Sequence, residues 1–508
     1  MAIQREGGGL TALLGGAVLF LAVLLFADLE PGRPEVTRTA AVAVLMAAWW
    51  ITGALPLGAT ALVPVMAFPF LGVLSADETA GHYINDIVFL FIGGFLVAIA
   101  MEQWDLHRRL ALKVLTWCGG RPRNIALGLM VSAFGLSMWI SNTATVMMLT
   151  PIVIGIIRRV EEALGPEQGH RFAMASLLGI AYTATIGGTA TLVGTAPNLS
   201  FARIWQISFP EAPEIAFSAW FVFGLPLSIC VFGVCYSVLH WRFLRGLDTL
   251  ADGRESLARQ YAELGPITPE QRRVMGVFLM LVTLWITRAD VQLGDWTVPG
   301  WAGLFEHGGM IKDGTVALSM GLLLFLIPAP AKPGGRILER GAILKLPWDI
   351  VLLFGGGFAL AAAFRSSGLA DWLGGHLVAF SDVPPVALVL GMCLGVSFLT
   401  ELTSNTATTE MLLPVLAAMA VAINIHPMLL MIPATLTCSY AFMLPVATPP
   451  NAIVFGAGNI RVHEMARTGI LINIGAVVLV TLFMFTWGQF TIGQLLADPE
   501  TWMYAQGP

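Results

Sequence analysis

The segment SNTATVMMLTP occupies residues 141–151, and the similar segment SNTATTEMLLP occupies residues 404–414. Both polar triplets lie near the centres of long apolar stretches, at 124–157 and 384–424. A single Ser-Asn-Thr is most simply a helix cap or a turn, because its side-chain oxygens accept hydrogen bonds from free backbone N–H groups. Two copies in equivalent apolar surroundings indicate a repeated unit with a shared function.

The composition around these segments is that of an integral membrane protein. Of the 508 residues, 56% are hydrophobic and 12% are charged, whereas soluble domains have roughly 25% charged residues. The first apolar run, 9–27, lacks a basic n-region and an A-x-A cleavage site, so we expect a retained span rather than a signal peptide. The five cysteines form no C-x-x-C pair and are interpreted as small apolar residues.

Eleven apolar runs predict transmembrane helices, because each approaches the length of about 20 residues that crosses a bilayer. They lie near 9–27, 38–54, 57–73, 86–101, 171–186, 216–239, 271–287, 314–329, 347–363, 427–445 and 467–490. The two stretches that carry the triplets are each too long for one crossing, and each half is too short for a comfortable one. We therefore expect a re-entrant helical hairpin at each triplet, since a break at membrane depth is tolerated where it lines a cavity.

The distribution of Lys and Arg predicts the orientation of the chain. With the N-terminus inside and both hairpins re-entrant, 21 of the 27 Lys and Arg residues fall in inner segments, as the positive-inside rule requires. A single crossing at either hairpin would destroy this bias. The prediction is an integral protein of a bacterial inner (plasma) membrane, with a cytoplasmic N-terminus and an extracytoplasmic C-terminus.

The triplets belong to a longer internal repeat. A shift of 263 residues superposes DIVFLFIGGF (86–95) on DIVLLFGGGF (349–358), and it also superposes Asn142 on Asn405. A shift of 253 residues superposes GTAPN on ATPPN, which begin at Gly194 and Ala447. Matching blocks in the same order are the signature of a repeated unit.

The predicted repeats are inverted in the membrane, because five spans, an odd number, separate the two hairpins. Inverted repeats are typical of secondary transporters, in which the substrate site lies near the midplane where broken helices meet. The predicted organisation is a first span at 1–30, a first repeat at 31–245 with its hairpin near 122–160, a cytoplasmic linker at 246–270, a second repeat at 271–492 with its hairpin near 384–424, and a short extracytoplasmic tail at 493–508.

Each predicted break offers groups that could bind both an anion and a cation. The helix that begins at a triplet presents free N–H groups and a partial positive charge, which favour an anion. Carbonyl, hydroxyl and amide oxygens favour a hard cation such as Na⁺. Thr195 and Thr448 offer hydroxyls at the second pair of breaks, and neither kind of break contains Lys or Arg. Bound cations would therefore balance the charge of an anion in the membrane interior.

The sequence resembles the divalent anion–sodium symporter family, the INDY-like carboxylate and sulfate transporters. The resemblance covers nearly the whole chain and is carried by both Ser-Asn-Thr motifs and by CSYAFMLPVATPPNAIV at residues 438–454. It implies a homodimer in which a transport domain moves like an elevator against a scaffold domain. It also implies two sodium sites, one at each triplet, with the substrate between them.

The resemblance further implies the residues of these sites. The first sodium site would use Ser137, Ser141, Asn142 and Gly194, and the second would use Thr400, Ser404, Asn405 and Ala447. The substrate would contact Asn142, Thr143, Thr195, Asn405, Thr406 and Thr448. The first break reads Thr-Ala-Pro where the second reads Thr-Pro-Pro, so the two breaks are expected to differ in shape.

Two acidic residues flank the second triplet and have no acidic counterpart in the first. Glu401 and Glu410 stand where the first repeat has Met138 and Met147. An acidic side chain inside a membrane protein is a candidate for function. For Glu401, tuning of the site and a structural hydrogen bond are both open interpretations.

The leading prediction is a sodium-coupled symporter of divalent anions, above all C4-dicarboxylates such as succinate, malate and fumarate. A sodium-independent dicarboxylate exchanger or a sodium/sulfate symporter of the same fold remains an alternative, and an anion channel is a remote one. A membrane enzyme would need a nucleophile–base pair or a metal cluster, and the sequence suggests neither. No organic cofactor and no nucleic acid partner are expected.

Overall fold

The computed structural model describes residues 9–118, 121–247, 253–293, 296–458 and 460–491. Three parts of the sequence prediction lie outside the described residues: the start of the first segment at 1–8, the middle of the linker at 248–252, and the tail at 493–508.

The first half of the chain consists of helices joined by short connections. They are α1 (Gly9–Phe26), α2 (Pro34–Thr52), α3 (Leu57–Thr60), α4 (Val63–Leu71), α5 (Ala76–Gly81), α6 (Asp86–Gln103), α7 (Leu106–Trp117), α8 (Pro122–Ser137), α9 (Asn142–Leu164), α10 (Pro166–Thr189), α11 (Ala196–Ser208) and α12 (Phe217–Leu239). The linker region contains α13 (Gly253–Glu263).

The second half has the same character and adds a small antiparallel hairpin of strands β1 (Val291–Leu293) and β2 (Trp296–Val298). Its helices are α14 (Pro269–Ile286), α15 (Asp313–Leu326), α16 (Gly341–Leu344), α17 (Trp348–Ser367), α18 (Leu369–Leu377), α19 (Pro385–Thr400), α20 (Asn405–Ala422), α21 (Met428–Ser439), α22 (Pro449–Gly456), α23 (Val462–Met484) and α24 (Trp487–Thr491). The predicted all-α polytopic fold is confirmed: among the described residues, eight helices are long and apolar enough to cross a membrane, or nine if one bent pair counts as a span.

Each of the eleven predicted runs overlaps a helix, although the run at 57–73 is divided between α3 and α4. The expectation that each half of a hairpin is too short to cross is wrong for α9 and α20, which have 23 and 18 residues and are long enough. The reason for α9 is that the helix continues through the charged turn that ends the apolar stretch. The re-entrant course of the hairpins stays a prediction.

The repeated Gly-Gly-Phe blocks bring helices into close contact. A Cβ on Gly93 of α6 would lie 2.3 Å from the carbonyl carbon of Ala317 on α15. At the equivalent place in the second repeat, a Cβ on Gly356 of α17 would lie 2.4 Å from the carbonyl oxygen of Ala61, next to α3. Glycine is therefore required at both positions because the two backbones touch there.

The two repeats interlock through their short helices. Helix α11 of the first repeat packs against α20 of the second, and α22 of the second repeat packs against α9 of the first. The N-termini of these four helices all lie at the breaks that the sequence repeats. The fold thus brings the two predicted halves of a site together.

Candidate binding site at the helix breaks

The first Ser-Asn-Thr lies in a break between α8 and α9. Helix α8 ends at Ser137 and α9 begins at Asn142. The Ser137 hydroxyl donates to Asn142 Oδ1 at 2.5 Å, so the two sides of the break are joined. Ser141 caps α9, since its Oγ accepts from the Ala144 N–H at 3.1 Å. The capping chemistry expected from the sequence is therefore present.

The second triplet repeats this arrangement between α19 and α20. Helix α19 ends at Thr400 and α20 begins at Asn405. The Thr400 hydroxyl lies 2.8 Å from Asn405 Oδ1, and Ser404 caps α20 through the Ala407 N–H at 3.5 Å. The same hydroxyl–amide pair thus closes both breaks, and the two pairs are related by the shift of 263 residues.

A second pair of breaks faces the triplets. One separates α10 from α11 and the other separates α21 from α22. Two fully buried asparagines cross them: Asn198 Nδ2 donates to the Thr191 carbonyl at 2.7 Å, and Asn451 Nδ2 donates to the Ala441 and Leu444 carbonyls at 3.0 and 3.1 Å. The sequence interpretation did not assign these asparagines, although each is the last residue of a repeated block.

The structure places only some of the residues predicted for the first cation site next to one another. A Cβ on Gly188 would lie 2.6 Å from Asn142 Oδ1 and 3.0 Å from the Gly194 carbonyl oxygen. These two oxygens therefore converge beside Gly188, and Ser137 bonds to one of them. Gly188 is a further residue that sequence reasoning missed. The Ser141 hydroxyl is used as the helix cap.

The second predicted cation site joins the hairpin to the end of α21. Asn405 Nδ2 lies 3.5 Å from the Ser439 carbonyl oxygen, and the Thr400 hydroxyl lies 2.7 Å from the Cys438 carbonyl oxygen. Ser404 is occupied as the cap of α20. Ala447 lies near the other end of the break, beside the cap of α22.

The threonines among the predicted substrate contacts differ in exposure and in the hydrogen bonds of their hydroxyls. Thr143, Thr195 and Thr406 are partly exposed, and within the described ranges their hydroxyls make no hydrogen bond. Thr448 is buried, and its Oγ1 accepts from the Asn451 N–H at 3.3 Å, so it caps α22. A free hydroxyl at the start of a helix can bind an oxyanion together with the N–H groups of that helix N-terminus.

Buried oxygens without a donor suit a cation at these breaks. In the part of the chain that the structure describes, Oδ1 of Asn198, Oδ1 of Asn451 and Oγ of Ser439 are buried and have no hydrogen-bond partner. An unsatisfied buried oxygen is costly unless water or an ion fills the place. Amide, hydroxyl and carbonyl oxygens are the ligands that hard cations prefer, so the donor set fits Na⁺.

Each of the two acidic residues near the second triplet has polar partners in the structure. Glu401 accepts from the Met443 and Leu444 N–H groups at 2.8 and 2.9 Å and from Asn473 Nδ2 at 2.9 Å. Glu410 accepts from the Ser200 hydroxyl of α11. Both are buried. The sequence left open whether Glu401 makes a structural hydrogen bond, and the structure shows that it does.

Comparison with known proteins defines the class. The family described as "Sodium:sulfate symporter transmembrane region" matches residues 12–493. The chain is 40% identical over 484 residues to the "Sodium-dependent dicarboxylate transporter SdcS" of Staphylococcus saprophyticus, covering 94% of this chain and 91% of that protein. It is 38% identical over 500 residues to proteins of the same name from Staphylococcus aureus strains, covering 97% and 94%.

Solved structures share the fold at low sequence identity. The YdaH transporter of Alcanivorax borkumensis is 15% identical with a TM-score of 0.55, and the match covers 89% of this chain and 99% of that one. MtrF of Neisseria gonorrhoeae is 13% identical with a TM-score of 0.56, covering 93% and 98%. The fold and the matches together define an integral membrane transporter, not an enzyme. The chain belongs to the sodium:sulfate symporter family, which confirms the family resemblance.

Proposed function

We propose that the protein is a sodium-coupled symporter of divalent anions that carries C4-dicarboxylates such as succinate, malate and fumarate. The observation that carries the proposal is the convergence of helix breaks from both repeats, with helix N-termini beside unsatisfied buried oxygens. The curated relatives at 38–40% identity support sodium and dicarboxylates, because their names state both.

Coupling follows from the charge of the site. The described contacts at the breaks include no Lys or Arg side chain, so amides, hydroxyls and helix ends alone would hold a dianion. Placing an uncompensated dianion in a membrane interior is costly. Two sodium ions, one bound near Asn142 and one near Asn405, would neutralise it. Sodium therefore assembles the anion site rather than merely accompanying the substrate.

The proposed substrate contacts lie at the edges of the breaks. Thr143 and Thr406 stand one residue after the amides that share the cation sites, and Thr195 stands at the start of α11. Free hydroxyls at helix N-termini can donate to carboxylate oxygens. Thr448 would contribute through its backbone or after a shift, because its hydroxyl caps α22.

The proposal includes an elevator movement in a homodimer, with the N-terminus on the cytoplasmic side of a bacterial plasma membrane. The contacts between helices of different repeats, α11 with α20 and α9 with α22, support the elevator movement. They hold the broken helices of both repeats in one rigid unit that could move with its ligands. The family resemblance supports the dimer, and the bacterial origin of the relatives supports the membrane.

Radiolabelled succinate uptake into proteoliposomes, with and without an inward sodium gradient, tests the function. We expect uptake above background only with the gradient, and competition by malate and fumarate. Equal uptake in choline would contradict sodium coupling. Sulfate is the second candidate substrate, favoured by the description of the family, and competition by sulfate but not by malate would put it first.

A further inference from the structure

Each triplet break is joined to the break that faces it by hydrogen bonds, and the side chains that make these bonds differ between the two repeats. In the first repeat the Thr191 hydroxyl donates to the Met138 carbonyl at 2.6 Å and accepts from the Gly194 N–H at 3.0 Å. In the second repeat Leu444 stands at the position of Thr191, and Glu401 stands at the position of Met138. The Glu401 carboxylate supplies the missing link by accepting from two backbone N–H groups of that break.

The environment of Glu401 suits a carboxylate that accepts without donating. Its side chain is 2% exposed, and its three partners are N–H donors, the third being Asn473 of α23. In the described ranges no Lys, Arg or His lies within ion-pair distance of it. Burying a carboxylate without a nearby cation is costly, even when hydrogen bonds are present. A cation that binds close by would remove that cost.

Glu401 connects the break between α19 and α20 to the break between α21 and α22, and these two breaks carry the residues of the second cation site. It directly follows Thr400, whose hydroxyl bonds Asn405, and it holds Met443 and Leu444, which lead to Ala447. A separate observation points to a ligand there: Ser439, whose carbonyl faces Asn405, has a buried hydroxyl with no partner in the described part of the chain. The first break has no acidic residue in a comparable place.

We infer that Glu401 is a positioning residue for the second cation site, and that this site binds sodium more tightly than the neutral first site. The inference rests on the proposed function. Glu401 shapes the break that carries Ala447, and its charge raises the preference of nearby oxygens for a small hard cation. A second-site cation would then bind first, and the first site would fill together with the anion.

The test compares Glu401→Gln with wild type in proteoliposomes, by the sodium concentration that gives half-maximal succinate uptake. We expect an increase of about tenfold, equivalent to about 1.4 kcal/mol, and a lower preference for lithium relative to sodium. The substrate KM at saturating sodium should change by less than about twofold. Glu410→Gln is the matched control, because Glu410 is also buried on this hairpin but accepts from Ser200 of α11 and not from the backbone between α21 and α22.

Distinct results separate the inference from the proposed function. Wild-type uptake that ignores sodium would overturn both. If wild-type uptake depends on sodium but Glu401→Gln has the same half-saturating sodium concentration, only the role of Glu401 is overturned. The same holds if Glu410→Gln raises the half-saturating sodium concentration as much as Glu401→Gln does. If Glu401→Gln does not fold, Asn473→Leu serves instead, since it removes one donor and keeps the carboxylate. It should raise half-saturating sodium by about twofold to threefold, and no change would overturn the inference.

Discussion

Gly188→Ala is expected to disable the first cation site while the protein still folds. A Cβ there would lie 2.6 Å from Asn142 Oδ1, whereas ordinary contacts begin at 3.4 Å, so the amide oxygen has to move by about 0.8 Å. The new Cβ would also lie 3.0 Å from the Gly194 carbonyl oxygen. Forcing one extra carbon into a packed site costs about 1–3 kcal/mol. If the displaced oxygens bind sodium, the apparent sodium affinity should fall by roughly 5–150-fold.

The assay is the sodium dependence of succinate uptake in proteoliposomes. Gly135→Ala is the matched control: it lies on α8, and its Cβ would meet nothing within 4 Å. We expect the control to have the wild-type half-saturating sodium concentration, and Gly188→Ala to have a much higher one. The succinate affinity of Gly188→Ala should fall only when sodium is limiting. Unchanged half-saturation in Gly188→Ala, in protein that is folded by circular dichroism, would refute the placing of a sodium ligand at Asn142.

The remaining predictions concern the equivalence and the orientation of the two repeats. Asn142→Ala and Asn405→Ala should each abolish uptake, because each removes the amide oxygen that its break presents, while size-exclusion chromatography shows intact protein. Near wild-type uptake by either variant would contradict the two-site account. Single cysteines at Arg121 and at Asp382, in a background without the five native cysteines, should react with an impermeant thiol reagent from opposite membrane faces. Labelling from one face would exclude an inverted repeat.

The helix breaks could be predicted from sequence because their causes are local. Ser141 and Ser404 cap the helices that follow them through N–H groups three residues away, so the signal and the structure lie in the same short segment. The shift of 263 residues also superposes Ser137 on Thr400, although the bonds of these hydroxyls to Asn142 and Asn405 appear only in the structure. Several helices lie outside the predicted runs. Among them, α7 was missed because it is amphipathic with basic residues, and α18 because it is too short to stand out as a span.

Contacts between distant segments could not be predicted in this way. Glu401 bonds residues 42, 43 and 72 positions away, and no local pattern encodes such a partner. Gly188 is one of two adjacent glycines at the end of α10, and its importance becomes clear only when Asn142 and Gly194 are seen beside it. The sequence therefore indicates which segments form the helix breaks, whereas the packing of the two repeats decides which atoms meet there.

Succinate binding to the purified protein, measured by calorimetry in sodium and in choline at equal ionic strength, tests the central claim most directly. If sodium assembles the anion site at Asn142 and Asn405, sodium should raise succinate affinity by roughly 5–150-fold, and succinate should raise sodium affinity by the same factor. Equal succinate affinity in the two salts would contradict the account and favour a sodium-independent exchanger.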